Sequence, residues 1–145
     1  MLSASWYPVG AWNRVLATVL SRFPLAARDH EMRKIAAFIA EHDLNGVYKM
    51  ILRLGSPELL LRRSDSLWTR YFDTGRLHWQ EDGTQRFRLS LESTGASEMP
   101  DRFTCDPGVC AWLETGLRMT GVQGSVVHHD CRLTNGSRCE YSVTW

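Results

Sequence analysis

The chain has 145 residues, enough for one domain to bury a core without cross-links. Hydrophobic residues make up 43% and charged residues 23%, a globular composition that excludes a disordered or fibrous chain. The formal net charge is +1 with the basic residues scattered, and the apolar runs are short, so neither nucleic acid nor a membrane span is expected.

The first half reads helical. Pro8 suits the first turn of a helix, and Trp12, Val15, Leu16, Val19, Leu20 and Phe23 follow at helical spacing until Pro24 stops it. A second helix starts near Asp29 as N-cap, with Met32, Ile35, Ala36, Ile39 and Ala40 on its buried face, and Asn45-Gly46 marks its end. Val47, Met50, Ile51 and Leu54 continue a short third helix that Gly55 closes. Ser56-Pro57 is an N-cap followed by proline at the first helical position, and the stretch from there to Thr74-Gly75 breaks near Ser64 or Asp65.

After Gly75 the period changes to two. Leu77-His78-Trp79 is a short strand, Glu81 to Thr84 a turn, and Phe87, Leu89 and Leu91 alternate with Arg86, Arg88 and Ser90. A polar loop runs from Ser93 to Arg102. Pro107 then opens a helix through Ala111, Trp112, Leu113, Leu117 and Met119, which Gly121 ends. The last stretch is a second hairpin. Asn135-Gly136 is a strong hairpin signal, and Cys139, Tyr141, Val143 and Trp145 alternate with Glu140, Ser142 and Thr144. Helices, a hairpin, one helix and a hairpin imply a single α+β domain over residues 1–145, with an antiparallel sheet of about four strands.

That hairpin carries the chemistry. A loop at Thr134-Asn135-Gly136 sets Cys131 opposite Cys139, with His128 and His129 just upstream, which makes a metal half-site, a disulfide or a pair of buried thiols. The N-terminus lacks the basic start and long apolar run of a signal peptide, so a cytoplasmic location is expected, and there thiols or thiolate ligands prevail over disulfides. Cys110 reads as helix packing.

The helix ending at Gly121, the strand entering Cys131 and the closing Cys139-x-Tyr141-x-Val143 resemble the 4-vinyl reductase domain. That is a small-molecule-binding domain related to haem-NO-binding proteins and to subunits of the TRAPP transport complex. In the sensory domains of phenol-responsive bacterial activators this region carries a zinc site of Cys, an acidic residue, Cys and Cys. The resemblance therefore implies a zinc held by Cys105, His128, Cys131 and Cys139, with His128 replacing the carboxylate. Gly46-Val47-Tyr48-Lys49, Ser56-Pro57-Glu58, Leu67-Trp68-x-Arg70-Tyr71 and the closing Cys-x-Tyr-x-Val-x-Trp also resemble an uncharacterised myxobacterial paralogous family.

Four protein ligands close a zinc site and make it structural, pinning helix to hairpin. Residues three apart on a regular strand point to opposite faces, so pairing His128 with Cys131 requires a bulge, and His129 is the fallback ligand. Catalysis is not expected. A closed site leaves no position for substrate, neighbours on a strand point apart, and no phosphate loop or nucleophile elbow is present. The aromatic residues offer an apolar pocket, with Trp68, Phe72 and Trp112 as walls and Tyr48 and His78 as polar handles. Packing alone is the bland account of the same rings. The expected function is a non-catalytic ligand-binding or sensory domain for an apolar or aromatic molecule. The alternative is a protein–protein interaction module, working as a homodimer or a complex subunit.

Overall fold

A computed structural model describes residues 8–46, 49, 55–93, 99–134 and 137–145. The expected third helix (with Tyr48) and the Asn135-Gly136 turn lie outside these residues. The described elements are α1 (Val9–Leu20), a 3-10 turn (Leu25–Ala27), α2 (Arg28–Asn45), α3 (Pro57–Arg62), α4 (Ser64–Tyr71), β1 (Arg76–Glu81), β2 (Arg86–Glu92), a kinked turn (Thr104–Gly108), α5 (Val109–Met119), β3 (Ser125–Asp130) and β4 (Arg138–Thr144). The four strands form one antiparallel sheet in the order β1-β2-β4-β3. This is the α+β arrangement expected.

Local chemistry sets the element ends. The Ser56 hydroxyl accepts the Leu59 amide at 3.3 Å, capping α3 ahead of Pro57. It also donates to Glu58 at 2.7 Å, and that bond holds the Glu58 carboxyl below its usual range. The break between α3 and α4 falls at Arg63, one residue ahead of the expected position. The α2 helix starts two residues earlier than expected and uses Ala27 rather than Asp29 at its N-cap, because the preceding 3-10 turn runs straight into it; Asp29 lies in the first turn. Gly121 adopts φ +96° beyond α5, a conformation that favours glycine.

The sheet has one apolar face. Leu77, Phe87, Leu89, Leu91, Val126, Cys139, Tyr141 and Val143 are buried in one cluster with Leu61, Trp68, Cys110, Leu113 and Leu117 from the helices. The outer face is polar and laced with ion pairs, including Arg88–Asp82, Arg138–Glu92 and Arg138–Glu140. A second cluster joins Leu16 and Leu20 of α1 to Met32 and Ala36 of α2 and Ala111 of α5. A third holds Ala40 and Leu44 of α2 against Leu60 and Leu67. Trp112 packs against all three. Gly116 permits the close approach of α3 to α5, since a Cβ there would lie 2.7 Å from Leu60 Cδ2.

The α1 stripe is narrower than its sequence suggests. Leu16 and Leu20 are buried, but Val15 and Val19, expected beside them, are 41% and 38% exposed. The side chains of α2 and α5 packed against α1 cover only part of so wide an apolar arc. Ile35 and Ile39 are likewise only half-buried on α2. The start of α5 is held to α1 by polar contacts. Trp12 Nε1 donates to Thr104 Oγ1 at 2.9 Å, and the Asn13 side chain bonds the Met99 carbonyl and the Asp101 amide.

Candidate functional site

The thiols gather where the kinked turn meets the β3–β4 hairpin. Asp106 breaks the turn with an extended backbone, φ −151° and ψ 116°, setting Cys105 and Asp106 against the end of the sheet. Tyr141 Oη donates to the Cys105 carbonyl at 2.8 Å and ties the two segments together. On the hairpin, His128 pairs with Tyr141 and Asp130 with Glu140, so the register shifts between them. This irregularity lets His128 and Cys131 face the same point. Cys131 lies just beyond the end of β3, while Cys139 pairs with Leu91 in the seam between the two hairpins.

Ligand atoms of His128, Cys131 and Cys139 lie within 4.8 Å of one another. Cys105 adjoins this group through Cys139, to whose sulfur its thiol donates. The Cys105 sulfur also lies 3.5 Å from the Arg132 guanidinium and 3.9 Å from the Pro100 carbonyl. All four cysteines are free thiols, and Cys105 and Cys139 are fully buried.

The electrostatics separate the sulfurs. Cys139 accepts from the Cys105 thiol and the Arg132 amide, lies beside the His128 ring, and is drawn down to about 5. Cys105 moves the opposite way, because donating that proton and being buried both favour the thiol. Burial raises Cys131, partly opposed by the Leu133 amide, and pushes Cys110 up to about 12. Burial also raises Tyr141 well above its ordinary value.

His128 is held by two contacts. Its ring stacks on Tyr141 with centroids 4.6 Å apart and planes 15° apart, and its Nδ1 lies 3.2 Å from Asp106 Oδ2. Its side chain is 6% exposed, and Nε2 is buried with no hydrogen-bond partner. The fallback ligand His129 lies elsewhere, with Nε2 2.7 Å from Ser142 Oγ on the outer face of the sheet. A tetrahedral zinc with sulfur ligands sets its donors roughly 3.5–4 Å apart, so a soft ion would need only a small contraction of this cluster. The orphaned imidazole nitrogen and the donor types fit such an ion.

The aromatic residues divide. Trp68 and Phe72 pack at a 37° tilt with centroids 4.4 Å apart, and Trp112 meets Tyr71 edge-on at 6.1 Å. Trp68 Nε1 donates to the Thr74 carbonyl, whereas Trp112 Nε1 is buried without a partner. His78 does not join them. Strand alternation turns Leu77 inward and His78 outward, where it faces Glu92 at 3.5 Å. Tyr48 lies outside the described residues. Asp106, Arg132 and Tyr141 were not anticipated as members of the thiol site; Asp106 could have been suspected from its place beside Cys105, and Arg132 from its place beside Cys131.

No known protein family matches this chain's sequence, and no curated protein does. The comparison with solved structures defines a class of fold, the one found in subunits of the TRAPP transport complex. One such structure is a trafficking protein particle complex subunit 3 from Naegleria fowleri, covalently bound to palmitic acid. It is similar over 94% of this chain and 91% of its own, with a TM-score of 0.62 and 12% sequence identity. At that identity the likeness establishes the fold alone. Of the relatives implied by the sequence resemblance, it returns the transport-complex branch; no family match carries the 4-vinyl reductase or myxobacterial branches. No helix among the described residues is long and apolar enough to cross a membrane.

Proposed function

We propose that this chain is a non-catalytic interaction module that works as a homodimer or as a subunit beside another protein. The observation that carries the reading is the unpaired apolar surface of the α1–α2 layer. Val15, Val19, Leu25 and Phe38 are exposed there, Leu25 and Phe38 at 79% and 69%. The likeness to a subunit of a multiprotein assembly supports the same reading. Light scattering of the purified chain tests it, alongside a Val19→Asp/Phe38→Asp variant. A self-associating wild type that the variant converts to monomer supports the homodimer. A monomer that captures no partner sinks the reading.

Within this module the cluster at the hairpin serves as a structural site for zinc. His128, Cys131 and Cys139 would supply three donors, with Cys105 as the fourth once its thiol releases its proton. A bound ion would contribute no chemistry beyond locking the kinked turn to the hairpin. The orphaned Nε2 of His128 supports this role. Metal analysis of untagged protein purified under reducing conditions decides it, with about one zinc per chain expected.

A ligand-binding role has one specific observation in its favour. The Trp112 indole N–H is buried without a partner at the meeting point of the three core clusters, beside Tyr71. A small apolar molecule bearing one acceptor would satisfy it. Palmitic acid in the similar subunit 3 is consistent with an apolar occupant of this fold. A panel of fatty acids and small aromatic compounds that left the melting temperature unmoved would remove this reading.

A further inference from the structure

We infer that Asp106 is the residue that positions His128 for metal binding, holding its ring with Nδ1–H toward the carboxylate and the Nε2 lone pair toward Cys131 and Cys139. The inference rests on the metal reading above and names the group that controls the site.

A carboxylate only accepts hydrogen bonds, so a contact of 3.2 Å to Nδ1 puts the ring proton on Nδ1. In the neutral ring Nε2 then carries a lone pair. That lone pair is buried, lacks a protein donor, and belongs to a ring beside two cysteine sulfurs. Leaving an acceptor buried and unpaired is destabilising, and a bound cation would offset that loss. Histidine ligands of metals almost always donate their second nitrogen to a carboxylate or carbonyl, which fixes the tautomer and raises the basicity of the ligating nitrogen.

Geometry gives Asp106 this role and not that of a ligand. Its oxygen sits at the Nδ1 edge of the ring, and the group of converging donor atoms does not include it. Two other contacts make the ring's placement specific. Tyr141 stacks on one face and fixes the ring plane, so the bond to Asp106 has only the in-plane choice of nitrogen left to settle. Meanwhile His129, the neighbour that could have competed, bonds Ser142 on the outer face. The arrangement also ties the site to the fold. Asp106 follows Cys105 in the kinked turn, so the same short segment delivers a thiol to Cys139 and the orienting carboxylate to His128.

Two measurements on the full-length chain test this, with Asp106→Ala and Asp106→Asn as variants. The first is zinc affinity by competition with a chromophoric chelator at fixed pH. Asp106→Ala is expected to bind 10–100-fold more weakly. Asp106→Asn, whose amide oxygen still accepts from Nδ1–H, should recover much of that loss. The second is the tautomer of His128 in the metal-free chain, read from its ring nitrogen shifts by NMR. The wild type should be the Nδ1–H form, and Asp106→Ala a mixture. Affinity within twofold of wild type in Asp106→Ala, or weaker binding with an unchanged tautomer, would overturn the inference. In the second case the loss would run through folding and not through the ring. A wild type that binds no metal would sink the metal reading instead, and the tautomer would still decide whether Asp106 positions His128.

Discussion

Where β3 leaves the sheet and β4 enters it, three donor atoms crowd within 4.8 Å, and a fourth sulfur adjoins them. Across the molecule, α1 and α2 meet through a small set of aliphatic side chains around Leu16, Leu20, Met32 and Ala36. The first region is specific and brittle, because each donor has one place to point and losing one leaves the others unpaired. The second is tolerant, because burial is non-directional and scales with area. It also leaves apolar side chains outside. The difference teaches where to test each proposed role: the hairpin for holding the fold in register, and the helix layer for meeting other molecules.

Substitutions can break or sharpen that contrast. The largest effect is expected from Cys139→Ser. It should abolish zinc retention and lower the melting temperature by about 12 °C, roughly 4 kcal/mol for a chain of this size. Metal analysis and calorimetry check this, and an unchanged melting temperature would make the hairpin as tolerant as the helix layer. Next, Leu16→Ala deletes a buried side chain from the α1–α2 cluster. It should cost about 3 kcal/mol in denaturant unfolding while metal content stays the same. Lost metal there would mean that the two regions are one cooperative site. Ser56→Ala removes the cap of α3 and should cost about 1 kcal/mol by the same titration. Last, Val19→Asp should change stability by less than about 0.5 kcal/mol. It should nevertheless weaken self-association in light scattering, which would separate the binding role of α1 from its packing role.

Much of the fold was legible because local signals agreed with one another. Ser56-Pro57, Asn45-Gly46 and Gly121 each carry a backbone preference that operates without neighbours. The period-2 pattern of Phe87, Leu89 and Leu91 likewise sufficed to give β2 its buried face. The bulge between His128 and Asp130 followed from a stereochemical demand, since a strand cannot aim residues three apart at one point. What stayed hidden depends on distant parts of the chain. Whether Val15 is buried depends on what α2 covers, and helical spacing cannot tell a core stripe from a docking stripe. The bonds from Asp106 to His128 and from Arg132 to Cys105 join residues more than twenty positions apart. His78 is a different case. Its outward direction was readable from Leu77 beside it, and grouping it with the buried aromatic residues overrode that alternation.

The strand order has a kinetic consequence. β1 and β2 are neighbours in sequence as well as in the sheet, but β2 and β4 can pair only after Arg86–Glu92 and Arg138–Thr144, far apart in the chain, have been brought together. The entropy of that closure is lost before the seam returns any contact, so assembling Leu89 against Tyr141 and Leu91 against Cys139 should be the slow step of folding. Leu89→Ala would then slow refolding in stopped-flow traces, while Leu16→Ala would mainly speed unfolding. Because Cys139 lies in that seam, the thiol cluster would assemble in the same event that commits the chain to its topology.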